Sequence, residues 1–217
     1  MMKKLFCAML ALALALCGLA MAETIEPQFV FDPTEGTYPA SFSRDKLKDG
    51  QLYDVQLYTV DQYSVEAVEK LAVGDELVIE GKTVAITALE KDEYGDLLIN
   101  GGFEVEGGYT LTHFVPDPEF KDEQYPDCWM SVEYDDFHSY TLRATCALPL
   151  DENVSFTDRW DIDMAAFEEG RQPVTAAGIE AVTQAIQGSE NDSFYEHSTE
   201  VVIKDGRIVE ITRDYVP

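Results

Sequence analysis

This chain of 217 residues carries 42 acidic against 15 basic side chains, a formal net charge of −27 at pH 7. A surface so negative repels nucleic acid phosphates and anionic lipid headgroups, which excludes both as expected partners. With 46 % apolar residues and 11 % aromatics, the chain has the side chains for a substantial core and is not expected to remain disordered.

In chain order, the first 22 residues have the pattern of a secretory leader. Lys3 and Lys4 open a short basic start, residues 5–20 form an uncharged apolar run, and Ala20-Met21-Ala22 puts small residues at the two positions a signal peptidase reads. Cleavage after Ala22 is expected, leaving a mature chain from Glu23 with 13 basic and 42 acidic residues. The apolar run is shorter than the roughly 20 residues that span a bilayer. Cys17 raises lipid anchoring as the rival outcome, but the bulky Leu16 just before it suits that processing poorly. No second long apolar run follows Glu23. The mature chain, 23–217, is therefore expected to be secreted or extracytoplasmic, without membrane insertion.

Residues 23–43 read as an irregular lead-in with a short strand at 28–31. After the Lys48-Asp49-Gly50 turn, residues 51–60 alternate as a strand, and Asp61 or Ser64 caps a two-turn helix from Val65 to Leu71. Residues 75–115 have the spacing of an antiparallel meander of about five strands. Its expected turns are Gly81-Lys82, setting Ile79 against Val84 and Leu77 against Ile86; Tyr94-Gly95-Asp96; Asn100-Gly101; and Glu106-Gly107-Gly108, setting Val105 against Tyr109 and Phe103 against Leu111. Short strands at this spacing resemble a small curled sheet or an SH3-like barrel, an architecture that implies no function. Pro116 and Pro118 interrupt the pattern, so residues 116–127 are the candidate subdivision of an otherwise single mature domain.

Two alternating runs, 128–134 and 140–146, flank the acidic Asp135-Asp136 loop. A hairpin centred on Phe137 places Cys128 opposite Cys146, with Met130 opposite Ala144 and Val132 opposite Leu142 on the same apolar face. Opposed Cβ atoms lie about 4.5 to 5.5 Å apart, within reach of a disulfide, which is expected in an oxidising compartment and stabilises by about 3 kcal/mol. Residues 149–170 show no clear period, although Phe156, Trp160, Ile162 and Phe167 are expected to tether them to a core. Val174, Gly178, Val182 and Ile186 recur every fourth residue and predict a helix over 173–187. The last hairpin, 199–203 and 207–213 around Asp205-Gly206, is apolar on both faces, and the helix is expected to cover one of them. The expected fold class is α+β, antiparallel and β-rich, with one covering helix near 173–187.

For chemistry the inventory is thin. Neither a G-x-S-x-G elbow, an H-E-x-x-H helix nor a phosphate-binding glycine loop occurs. His113, His138 and His197 fall in no motif, although His138 follows Asp135 and Asp136, and His197 with Glu200 has an H-x-x-E spacing. Asp158, Asp161 and Asp163, with Glu168 and Glu169 behind them, are the candidate calcium ligands, because a hard cation wants several oxygens from one loop. No other cofactor is expected. The preferred function is a secreted, noncatalytic binding domain presenting aromatics such as Tyr125, Trp129 and Trp160 to an extracellular or envelope partner. The alternatives are a small hydrolase using paired carboxylates and a structural component of the cell envelope. If the Asp158 to Glu169 cluster holds calcium, millimolar calcium raises the melting temperature more than magnesium at equal ionic strength; equal shifts identify plain screening.

Overall fold

The computed structural model describes residues 22–116, 127–133, 138–160, 166, 170–189 and 193–214. Its first half contains β1 (Thr24–Ile25), β2 (Gly36–Ser43), a 3-10 turn (Arg44–Lys46), β3 (Leu47–Lys48), β4 (Gln51–Val60), β5 (Gln62–Ser64) and α1 (Val65–Glu69). Next come β6 (Glu76–Ile79), β7 (Lys82–Ala85), β8 (Leu89–Lys91), β9 (Leu97–Ile99), β10 (Tyr109–Phe114) and β11 (Cys128–Val132). The remainder is β12 (Tyr140–Arg159), β13 (Val174–Ala177), α2 (Ile179–Gly188), β14 (Ser193–Phe194), β15 (Thr199–Lys204) and β16 (Arg207–Asp214). The fold is α+β and dominated by antiparallel strands.

The long strand β12 organises the larger part. Its first half runs antiparallel to β4, from Tyr140 opposite Val60 to Pro149 opposite Gln51. Its second half runs parallel to β16, from Ser155 opposite Glu210 to Arg159 opposite Asp214. Register shifts after Leu142, Cys146 and Leu150 let the strand bend between these partners. β2 makes a similar change, pairing with β15 through residues 36–39 and with β4 through residues 40–41. With β15 on β16, the strands β4, β12, β16, β15 and β2 close a circuit in which each is paired with two others.

Alternate residues of this circuit, among them Ala40, Leu57, Leu150, Phe156, Val201 and Ile211, meet in one core together with Val182 and Ile186 of α2. The helix is shorter than its four-residue period predicts. Gly178 sits at φ 81°, a conformation that breaks a helix and that glycine adopts freely. Residues 174–177 before it form β13 on the edge of β12, Val174 opposite Asp158 and Ala177 opposite Ser155. The helical period of residues 174–186 yields in its first four to an open strand edge and to β-branched Val174 and Thr175. Residues 149–159, aperiodic in sequence, belong to β12 because its bulges shift the inward face along the strand.

A second core gathers Ile25, Tyr63, Val68, Leu77, Ile79, Ile99, Leu111 and Trp129. It is built by a five-stranded sheet, β5-β11-β10-β9-β8, and a three-stranded one, β1-β6-β7. Apart from β1, all of it lies between β4 and β12, so residues 61–139 form an insertion into the closed circuit. The helix α1 carries the expected cap, Ser64 Oγ accepting the Ala67 N–H at 3.2 Å. The β6–β7 turn differs from expectation: its central residues are Glu80 (φ 52°) and Gly81 (φ 71°), so Ile79 faces Lys82 and Leu77 faces Val84. A slip of two residues keeps the same side chains inward. Residues 100–108 loop out instead of forming a further hairpin, and Ile99 pairs directly with Tyr109.

The hairpin expected to join Cys128 to Cys146 is not formed. β11 lies between β10 and β5, with Cys128 opposite Phe114 and Ser64, while Cys146 lies opposite Val55 on β4. Both cysteines are free thiols. The local alternation is real, but β11 is buried at all five residues, which only a central strand with both faces covered achieves. After the single bridge Val132 to His138 the two runs therefore part into different sheets. Burial raises the pKa of both thiols, so neither is expected to be reactive. Intact mass should be unchanged by reduction, with both thiols titrating only after denaturation; a gain of two protons on reduction would contradict this arrangement.

Candidate functional site

The proposed calcium ligand Asp158 is already engaged. Arg213, buried to 1 % exposure, donates from Nε to Asp158 Oδ1 at 3.0 Å and from Nη2 to Oδ2 at 2.5 Å. Nη2 also reaches Ser189 Oγ at 2.7 Å, and the guanidinium lies 4.3 Å from the Phe194 ring centre and 5.4 Å from that of Trp160. Asp161, Asp163, Glu168 and Glu169 lie outside the described residues, as do Tyr125, Asp135 and Asp136. Among the described residues no group of three or more His, Cys, Asp or Glu is arranged to hold a metal ion. Trp129 is 5 % exposed in the second core, stacked on His113 at 4.9 Å, so it presents little surface to a partner. His197 and Glu200 do not converge: they line different depressions.

The structure instead brings together residues that no motif connects. Where β4 passes into β5, Asp61 is fully buried and its carboxylate ties the two parts of the chain. Oδ1 accepts the Thr141 hydroxyl of β12 at 2.6 Å, and Oδ2 accepts the Glu80 backbone N–H of the β6–β7 turn at 2.6 Å. Arg143 Nη2 stands 3.6 Å from Oδ1, its Nε donating to Thr59 Oγ1 at 2.8 Å and its guanidinium covering the Phe29 ring. Burial raises the Asp61 pKa, opposed by the bonds from Thr141 and Glu80 and by the Arg143 charge. The same carboxylate compensates a local strain: a non-glycine residue at positive φ costs on the order of 1 kcal/mol, and Asp61 holds Glu80 there.

So held, Glu80 directs its side chain to Glu133, the residue after β11. These two carboxyls are coupled through their charges, and Lys82 Nζ lies 3.0 Å from Glu80 Oε2. Removal of water by the cleft walls is the largest cause raising the Glu133 pKa, followed by the neighbouring Glu80 carboxyl and the charge of Glu196; Lys82 opposes them. A neighbouring negative charge disfavours ionisation, so the Glu133 carboxyl is held above the ordinary glutamate range. Around them is a cleft of about 450 Å³ lined by Glu80, Glu133, His138, Tyr140, Glu196 and His197. Tyr140, Glu196 and His197 come from the closed circuit and its loops, the remainder from the insertion. A second depression of about 400 Å³ adjoins the same glutamate pair and is walled by Phe103, Val105 and Tyr109.

Sequence reading found His138 and His197 but not Glu80, Glu133 or Glu196, which are far apart and sit in no spacing pattern. In a chain with 42 carboxylates, the only local signal was the turn-forming Glu80-Gly81 step. No protein-family model matches the chain, and no curated protein or solved structure is significantly similar to it.

Two outcomes follow. A carboxyl whose pKa is higher folded than unfolded stabilises the protein at low pH and loses that contribution as pH rises from the unfolded to the folded value. Glu133→Gln should therefore be at least as stable as wild type at pH 7 in urea unfolding, and should remove part of the wild type's gain near pH 5; unchanged pH dependence would speak against the raised Glu133 pKa. Asp61→Ala leaves the Thr141 hydroxyl and the Glu80 N–H without their acceptor and Arg143 without its nearby counter-charge, and should cost about 2 to 4 kcal/mol by the same measurement.

Proposed function

We propose that this protein is a secreted, noncatalytic binding domain whose ligand offers a positively charged group to the cleft between Glu80, Glu133 and Glu196. The observation that supports it is the convergence of three carboxylates, from two separately packed parts of the chain, on one cleft. An ammonium or guanidinium donates charge-assisted hydrogen bonds into such acceptors, and its charge favours the ionised form of Glu133. The neighbouring depression beside Phe103, Val105 and Tyr109 accommodates an apolar side chain next to the cation. A basic peptide segment therefore suits the groove better than a bare ion. The net charge of −27 steers such a ligand from a distance and makes its association sensitive to salt.

A second reading, an extracytoplasmic hydrolase with paired carboxylates, draws on the same Glu80–Glu133 pair, since a carboxyl with a raised pKa beside a second carboxylate is an acid–base arrangement. Glycosidases work with two carboxylates free to act on either side of the bond, whereas Glu80 is paired with Lys82 at 3.0 Å. The chemistry open to this pair is activation of a water by a carboxyl of raised pKa beside a second carboxylate.

The test is calorimetric titration of the 23–217 chain with the peptide amide Lys-Phe-Lys, with Glu-Phe-Glu as control. Saturable binding of the basic peptide is expected, weakening with salt and falling about tenfold in Glu196→Gln, the equivalent of about 1.4 kcal/mol. Absence of heat at low salt would sink the binding reading. Cleavage of the peptide, lost in Glu133→Gln, would establish the hydrolase in its place.

A further inference from the structure

We propose that removal of residues 1–22 creates, at Glu23, an α-ammonium group for which Asp75 is the built receptor. This rests on the leader reading above and adds to it a site on the folded protein.

The Glu23 nitrogen lies 3.1 Å from Asp75 Oδ1, and the Glu23 carbonyl accepts the Glu76 N–H at 2.8 Å. From there the chain joins a sheet at once: β1 runs parallel to β6, Thr24 opposite Glu76 and Ile25 opposite Leu77. Thr24 Oγ1 donates to Glu76 Oε2 at 2.9 Å, and Ile25 is 8 % exposed in the second core. Asp75 is oriented independently of Glu23. Its Oδ2 accepts the Ala72 N–H at 2.9 Å, its own N–H donates to the Ala72 carbonyl at 3.1 Å, and its carbonyl accepts the Ile86 N–H at 2.8 Å. An exposed ion pair is usually weak because two long side chains must be ordered to make it. Here one partner is backbone and the other a short side chain already fixed, so that cost is largely absent.

In the unprocessed chain the Glu23 nitrogen is an amide, a neutral donor with one hydrogen. Hydrolysis of the Ala22–Glu23 bond by a leader peptidase adds the hydroxyl of water to the Ala22 carbonyl carbon and its hydrogen to the Glu23 nitrogen. The new amine takes up a proton from solvent and the new Ala22 carboxyl gives one up. The result is a cation 3.1 Å from a carboxylate. The other charged groups near it are Glu76, the Glu23 side chain, and Lys70 with its partner Glu66 at 2.7 Å. Of these, only Lys70 opposes the ammonium. Its pKa is therefore expected above the ordinary α-amino value of about 7.7 to 8.0. Stability gained from a raised pKa is fully present below the unfolded value and is lost as pH rises through the folded one. The processed chain is thus the more stable form at neutral pH, and one extra residue displaces the cation by about 3.3 Å, the rise of an extended chain.

The experiment is to export the full chain, purify the product, determine its first residue by mass, and follow its ¹³C-methylated α-amine by NMR across pH. The expected result is a chain starting at Glu23 whose α-amine titrates at least half a pH unit above 8, and at an ordinary value in Asp75→Asn. A variant with one glycine before Glu23 keeps Asp75 intact, and should melt lower than the mature chain at pH 7 but equally at pH 10. A product starting elsewhere overturns the leader reading and the proposal with it. A product starting at Glu23 with an ordinary titration, unchanged in Asp75→Asn, leaves the leader standing and removes Asp75 as its receptor.

Discussion

Pairing of β4 with the first half of β12 is the constraint from which the architecture follows. It brings Val60 opposite Tyr140, so everything between these residues must leave and return through one narrow junction. A segment under that restriction cannot share the main core and has to bury its own apolar side chains. It does so with Leu77, Ile79, Ile99, Leu111 and Trp129 in a second core, adding only β1 from outside the insertion. The cleft is a consequence of the same closure, because Glu80 and Glu133 belong to the insertion and Glu196 to a loop of the closed circuit.

The junction is held by polar groups rather than by packing alone. Asp61 sits at its centre with no exposed surface, and Ser131 and Ser139 close it from the other side, their hydroxyls 2.9 Å apart and the Ser139 N–H donating to the Ser131 carbonyl at 2.9 Å. Buried polar groups contribute little net stability but penalise alternatives that leave them unpaired. Here that penalty fixes how the β6–β7 turn meets β12 and thereby the direction of Glu80. Arg213 with Asp158 plays the comparable part at the other end of β12, where both oxygens of the carboxylate are taken by one guanidinium.

The acidity acquires a shape only in three dimensions. Spread over the sequence, 42 carboxylates say no more than that the surface is solvated and repels anions. In the fold a few of them line one cleft, and at Glu133 partial loss of water and neighbouring charge raise the pKa. Such a placement costs stability at neutral pH, and the closure of the circuit, with its large apolar core, offsets it.

Several elements were legible in the residues themselves. The strand at 51–60, the Ser64 cap with its short helix, and the last hairpin around Asp205-Gly206 stand where expected, since each rests on a local signal: alternation, a capping hydroxyl, a two-residue turn. What the tertiary structure alone decided is partnership. Cys128 and Cys146 stand on runs that alternate as a hairpin should, yet β11 is claimed by β5 and β10; Val174 to Ala177 repeat like a helix, yet an open strand edge takes them. Glu80, Glu133 and Glu196 meet only because two distant strands close a neck. Periodicity fixes which face of an element is apolar, whereas the choice of neighbour is a competition among all faces of the chain at once, and that is settled by long-range burial and by the pairing of buried polar groups.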